Sequence, residues 1–409
     1  MLFRSAPAGR RRQKLIIAGD GTRGYPDRTV ASQPASVRLL QDLIALPSVN
    51  PAFLADPELH GEHRVAEYLA AAAHRQGLEV EVQPVVPGRS NLLVRLRPRG
   101  EVRQRVLLAP HLDTVGEPAY AEQLKPVVRE GRVFGRGACD TKGSVAAFFQ
   151  ALLNVTGSGP RPAHTEILFV GLVDEENMQL GSRHFALHGP KGDLAVVGEP
   201  TGLEIVTAHK GDVWLRLRAV GKPAHGATPH RGRNAVTAMS RIVLALETEY
   251  AAELASRPAH PRLGRPTINV GRIEGGRQPN IVPAECTIDI DRRTLPGETE
   301  AGVRREIAGL LRRRGLKAGF DTLRTNPCEP LDTDPALPLV RSLTRAAGRR
   351  GTRGVHYFTD AAPLAAGGIP SVVFGPGDIA QAHTGKEWLA ISQLESSIGI
   401  LERFLRGLD

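Results

Sequence analysis

Val106-Leu107-Leu108-Ala109-Pro110-His111-Leu112-Asp113 decides the fold, because a continuous apolar run ends here in a histidine and a carboxylate. A short apolar run bounded by Gly or Pro reads as a strand buried on both faces. Three further segments repeat the pattern. Ile167 to Val173 leads into Asp174-Glu175-Glu176, Leu194-Ala195-Val196-Val197-Gly198 into Glu199, and Ser371-Val372-Val373-Phe374 on to His383. Ligands of open α/β sheets gather beyond the carboxyl ends of such strands. One His or Glu there would be an ordinary polar loop. Four strand ends carrying His, Asp and Glu together predict one hydrolytic metal centre.

Outward from these strands, helical spacing of apolar residues predicts helices over 35–47, stopping at Pro47, and over 61–76, closed by Gly77 at C′. Strands follow at Leu78 to Val82 and Asn91 to Leu96, and a strong helix at Gly143 to Val155. The alternation to about residue 207 predicts a mostly parallel, mixed sheet with helices on both faces. Near Lys210 the pattern changes to period two, in Val213-Trp214-Leu215-Arg216-Leu217-Arg218-Ala219-Val220, as expected of a sheet with one wet face. A helix from Asn234 to about Leu254, strands at Thr267 to Ile273 and Glu285 to Asp291, and a helix from Glu298 to Arg314 complete a β-α-β-β-α-β order. Buried strands return after about residue 325, and a last helix starts at Ile391. The expected organisation is α/β with an inserted α+β domain: a basic tail over 1–30, a catalytic domain over 31–209 and 324–409, and the insert over 210–323.

A chain of 409 residues suits two or three domains. Its apolar share of 41% fits packed cores, and no apolar run approaches the ~20 residues of a membrane span. The net charge of +10 is unevenly placed. Arg4, Arg10, Arg11, Arg12, Lys14, Arg23 and Arg28 face only Asp20 and Asp27 in the first thirty residues, which are expected to be disordered. The rest is spread over a body with 4% aromatics, so platforms for stacking bases are not evident and no nucleic-acid partner is expected. Cys139, Cys286 and Cys328 have no paired spacing, which argues for a reducing compartment and against a disulfide framework.

His111 and Asp113 share a strand face, where a carboxylate can accept the second ring N–H of a ligating histidine. Gly135-Arg136-Gly137-Ala138-Cys139-Asp140-Thr141-Lys142-Gly143 is a glycine-rich turn opening a helix. Its spacing matches neither the dinucleotide fingerprint nor the P-loop. Glycines there suit close backbone approach to Asp140. In Asp174-Glu175-Glu176 adjacent carboxylates point differently, so one can bind metal while another stays free to take a proton from water.

In this order the motifs resemble the dinuclear zinc exopeptidases and deacylases, the family of acetylornithine deacetylase, succinyl-diaminopimelate desuccinylase, aminoacylase and the glutamate-releasing carboxypeptidases. The resemblance covers about residues 35–405 and rests on His111-Leu112-Asp113-Thr114-Val115, the turn into Asp140, Glu175-Glu176, Gly198-Glu199-Pro200-Thr201 and His383. It implies two zinc ions per chain, or cobalt, with Asp140 bridging, His111 and Glu199 on one ion, and Glu176 and His383 on the other. It also implies that Asp113 orients His111 and that Glu175 is the general base and acid.

For the insert it implies a ferredoxin-like lid through which two chains pair. His225, in Gly221-Lys222-Pro223-Ala224-His225-Gly226-Ala227, would donate to the oxyanion, and Asn280 and Arg293 would bind substrate. An arginine suits a bidentate grip on an α-carboxylate. Ala208-His209-Lys210-Gly211 and Gly375-Pro376-Gly377-Asp378-Ile379-Ala380-Gln381-Ala382-His383 are most similar to the acetylornithine deacetylase branch. That implies a cytoplasmic enzyme cleaving an N-acyl amino acid, N2-acetylornithine above all, to acetate and ornithine. Asp360, in Tyr357-Phe358-Thr359-Asp360-Ala361, departs from that branch, which more often has Glu, and resembles the carboxypeptidase branch. A desuccinylase or peptidase activity is the alternative, and a non-catalytic binding protein the remote one.

Overall fold

The structure, a computed structural model, describes residues 33–54, 56–116, 120–157 and 159–409; the expected tail over 1–30 lies outside them. Among the described residues the strands are, in chain order, β1 (Glu79–Val86), β2 (Arg89–Leu96), β3 (Gln104–Pro110), β4 (Val127–Arg129), β5 (Arg132–Phe134), β6 (Thr165–Gly171), β7 (Leu194–Gly198), β8 (Val206–His209), β9 (Gly211–Val220), β10 (Thr267–Gly275), β11 (Glu285–Thr294), β12 (Gly319–Thr322), β13 (Leu331–Asp332), β14 (Arg353–Val355), β15 (Ser371–Phe374) and β16 (Trp388–Ala390). The main sheet has the order β1-β2-β6-β3-β7-β15-β8-β13, with β14 beside β8. Its centre, β6-β3-β7-β15, is parallel, while β1, β2 and β13 join antiparallel at the flanks.

Burial on both faces follows from the strand sequences. Alternate residues of a strand point to opposite faces. Val106, Leu108, Ile167, Phe169 and Val196 pack against one set of helices, which includes Ala35–Ala45, Glu62–Arg75, Lys142–Gly157 and Ile391–Arg406. Leu107, Leu168, Val170, Ala195 and Val197 pack on the other face with Leu180–His188 and Ala361–Ala366. Phe149 of the Lys142–Gly157 helix meets Phe169 edge-on at 5.5 Å, seating the helix that follows Asp140 directly on the sheet. Each such fully buried ring stabilises the fold by roughly 1.5–3 kcal/mol.

Residues 211–322 form a second layer with its own core. Its sheet order, β10-β11-β9-β12, is antiparallel throughout, the order of a ferredoxin-like fold. Leu215, Leu217, Ile288 and Ile290 pack beneath Met239, Ile242, Val303 and Ile307 of two helices. Asn234 caps one, accepting from the Thr237 N–H (3.1 Å), and Thr299 caps Glu300–Arg313, accepting from the Gly302 N–H (3.2 Å). The first helix differs from the expected single span over 234–254. It passes from Ala235–Ala245 through a π-helical turn at Leu246–Tyr250 into Ala251–Ser256. In that turn Tyr250 is fully buried and its hydroxyl donates to Glu306 (2.6 Å).

Candidate metal centre

β3 and β6 stay paired beyond their ends. The Leu172 N–H donates to Pro110 O (3.0 Å) and the Leu112 N–H to Leu172 O (2.8 Å). That continuation holds His111-Leu112-Asp113 alongside Val173-Asp174-Glu175, so two distant stretches of sequence meet over the sheet. Glu199 follows β7 directly, and His383 arrives from the loop after β15.

The four ends converge around Asp140. One carboxylate oxygen, Oδ1, lies 3.1 Å from His111 Nε2, and the other, Oδ2, 3.3 Å from His383 Nε2. Glu199 Oε1 is 3.8 Å from His111 Nε2, and Glu176 Oε2 is 3.1 Å from His383 Nε2. Two groups of three ligand atoms result, His111-Asp140-Glu199 and Asp140-Glu176-His383, each with its atoms within 4.8 Å of one another and both sharing Asp140. His111 Nδ1 faces the Asp113 backbone oxygen at 3.0 Å, which leaves Nε2 for the cluster.

A cation-free reading of this cluster is unfavourable. Glu199 Oε1 and Glu176 Oε1 are buried and accept no hydrogen bond, a costly condition that a cation would relieve. Burial, then the charge of Glu199, pushes Glu175 well above the usual carboxylate range. Burial and the charge of Asp140 likewise raise Glu176 to about 7. Hydrogen bonds with Asp140 and Glu176 push His383 up to about 10. Carboxylates and imidazoles drawn together with oxygens to spare make a donor set that fits divalent metal.

Residues absent from the sequence-based expectation hold this arrangement. The Asp113 carboxylate accepts the backbone N–H groups of Glu175 (3.1 Å) and Glu176 (3.2 Å), so it fixes three site residues, not His111 alone. Asn50 donates to Asp113 (2.8 Å) and Asp174 (2.9 Å). Arg89 grips Glu62 with two donors (2.6 and 2.7 Å) and Asp174 with a third (2.7 Å). These contacts pin Asp174, whose φ of 69° is left-handed, a conformation that costs about 1–3 kcal/mol and persists only where its surroundings over-determine it.

On the opposite side Glu387, 3% exposed, accepts from the backbone N–H groups of Gly137 (3.1 Å), Cys139 (2.8 Å) and Asp140 (2.9 Å), and from Arg136 (2.9 Å). The turn that presents Asp140 is thereby stapled to the segment that presents His383. Gly137, with φ of 80°, makes the turn possible. Cys139 beside it is buried, and burial pushes its thiol far above the ordinary range, which disfavours the thiolate.

Not every expected residue joins the cluster. His225 and Asn280 are exposed in the second layer, where the Gly226 N–H donates to Asn280 O (2.7 Å) and the Ala227 N–H to His225 Nδ1 (3.1 Å). Among the described residues no hydrogen bond or ion pair joins their side chains to Asp140 or its ligand partners. Arg293 lies at the junction of the two layers, paired through two bonds of 2.9 Å with Asp291.

Comparison with known proteins agrees with this architecture. Residues 207–318 match the profile of the peptidase dimerisation domain, and residues 91–228 that of peptidase family M28. Acetylornithine deacetylase of Vibrio campbellii is 30% identical over 382 residues, which cover 90% of this chain and 97% of that one. An M20 family metallo-carboxypeptidase from Sulfolobus solfataricus superposes with a TM-score of 0.72 at 17% identity, covering 91% of this chain and 99% of that one. A dinuclear metal-binding peptidase of the M20 family from Bacillus subtilis gives 0.63 at 14% identity, covering 91% and 96%.

Proposed function

This chain belongs to the M20 family of metal-dependent amide hydrolases, and from that premise we propose that it deacylates an N-acyl amino acid, converting N2-acetylornithine to ornithine and acetate. The observation that carries the reading is Asp140, buried between two donor groups with Glu175 close by and in neither. In the proposed roles Asp140 would be shared by two ions, one also held by His111 and Glu199 and the other by Glu176 and His383. Zinc or cobalt suits these mixed nitrogen and oxygen donors. Such ions supply Lewis acidity, polarising the amide carbonyl and making water a stronger acid.

The protein's own contribution is proton transfer and placement. Glu175 takes a proton from the attacking water and returns it to the departing amine nitrogen, a cycle that a carboxylate raised above its usual range performs well. Asp113, through the Glu175 and Glu176 N–H groups, keeps base and ligand at fixed spacing. Arg293 grips the α-carboxylate with Asn280 beside the substrate. His225 donates to the oxyanion from a second copy paired through the inserted layer, a placement supported by its exposure and by the match of residues 207–318 to the peptidase dimerisation domain. Three buried, unpaired cysteines suit a cytoplasmic setting.

Asp360 favours a peptidase as the second reading. It sits buried where the deacetylase branch more often carries Glu, hydrogen-bonded to Ser182 (2.5 Å). Rates of the metal-loaded protein on N2-acetylornithine, succinyl-diaminopimelate and dipeptides decide between them. The reading expects acetylornithine to be fastest, and faster dipeptide cleavage would replace it with the peptidase.

A further inference from the structure

The open face of the second layer carries an unused charge. Along β9, Val213, Leu215, Leu217 and Ala219 turn toward the helices, which puts Asp212, Trp214 and Arg216 on the other face. β11 places Arg293 directly opposite Asp212, Asp291 opposite Trp214 and Asp289 opposite Arg216. Arg216 is satisfied by Asp289 through bonds of 2.6 and 2.7 Å, and Arg293 by Asp291. Asp212 is left over. It is 1% exposed, and neither carboxylate oxygen accepts a hydrogen bond among the described residues. A buried acceptor with no donor needs one from outside the fold.

Asp212 is tied by its backbone to Cys328. Its N–H donates to Cys328 O (2.7 Å) and the Cys328 N–H donates back (3.3 Å). The Cys328 thiol is near enough to Glu175 to feel its charge. On the same face the Arg324 guanidinium lies 4.7 Å from the Trp214 ring and 5.0 Å from Phe358, two residues before Asp360. The face bearing Asp212 and Arg293 is thus linked through Arg324 to Phe358, two residues before the buried Asp360.

We propose that Asp212 is a specificity-determining residue of the substrate cleft, its carboxylate receiving the cationic end of a basic N-acyl amino acid whose α-carboxylate is held by the adjacent Arg293. The proposal rests on the deacylase reading above and deepens it by naming the residue that receives the ammonium or guanidinium end of the substrate side chain. Ammonium brings hydrogen-bond donors to a carboxylate that accepts none among the described residues, a charge-assisted contact stronger than a neutral one. A side chain ending in methyl leaves the buried carboxylate unsatisfied, the situation in which a site discriminates most sharply.

The test compares N2-acetylornithine with N-acetylnorvaline, which lacks only the terminal amine, in wild type, Asp212→Asn and Asp212→Glu. Wild type is expected to favour acetylornithine, and the ratio of the two kcat/KM values is expected to fall by at least about 100-fold in D212N, through KM more than kcat, with partial recovery in D212E. A ratio unmoved by D212N, with acetylornithine still turned over, overturns the specificity role and leaves the deacylase reading intact. Turnover of neither compound fails the deacylase reading instead. Calorimetric binding of ornithine and norvaline to metal-loaded wild type and D212N then decides the role of Asp212 without chemistry. Loss of the ornithine preference in D212N supports it, and an equal preference in both proteins contradicts it.

Discussion

Glu175 and Glu176 are neighbours in sequence with separate tasks, and the separation is physical. Glu176 reaches His383 and the ligand group around Asp140, while Glu175 belongs to neither donor group and stays buried with a raised affinity for its proton. Glu175→Ala is therefore expected to retain metal, measured by elemental analysis, and to lose about 10²–10⁴-fold in kcat. Wild-type turnover in that variant would remove Glu175 from the mechanism. Asp212 sets a different expectation at this scale. Burial, opposed by Arg293 and reinforced by Asp291, lifts its carboxyl from 3.8 to about 7. The folded state then binds more protons than the unfolded state between those values, so this residue's contribution to stability falls as pH rises through that window. The gain in melting temperature of Asp212→Asn over wild type should grow from pH 4 to pH 7, and a gain independent of pH would contradict the assignment. His111, Asp140, Glu199, Glu176 and His383 were legible in the sequence because each follows an apolar run or a glycine turn. Asn50, Glu62, Arg89 and Glu387 were not, since a single polar residue in Ser48-Val49-Asn50 or Lys386-Glu387-Trp388 shows no pattern until the chain has folded.

Among elements, the parallel strands β3, β6, β7 and β15 could be read directly, because burial on both faces leaves long runs of Val, Leu and Ile. β4, β5 and β16 could not. They form a separate three-stranded sheet of three-residue strands, too short to carry any periodicity. The antiparallel flanks of the main sheet were equally hidden, since pairing direction leaves no mark within one strand. That small sheet matters, because β16 starts next to Glu387 and so fixes the staple between the Asp140 turn and the His383 segment. Glu387→Gln substitutes an amide for an acceptor that serves four N–H donors. It is expected to weaken metal binding by about 10–100-fold with circular dichroism unchanged. Unaltered metal affinity would show that the turn holds itself.

At the scale of the whole molecule, the catalytic cluster and the residues expected to stabilise the oxyanion stand on different layers, and His225 is exposed. The proposed pairing through the 211–322 layer would reconcile the two. Mixing inactive His225→Ala with inactive Glu175→Ala should restore about a quarter of wild-type activity, the share of complete sites when chains of a two-fold dimer pair at random. No recovery from mixtures shown to exchange subunits would place His225 outside the partner's site. The insertion itself was foreseeable from the switch to period two near Lys210, whereas the pairing of Asp212 with Cys328 depends on how the chain re-enters the first layer and could not be read ahead. Two donor groups sharing Asp140 define the proposed dinuclear hydrolytic site. Titrating chelator-treated protein with zinc while following N2-acetylornithine hydrolysis should give no turnover without metal and a rise that saturates at two ions per chain; full activity in the metal-free protein would contradict a dinuclear site.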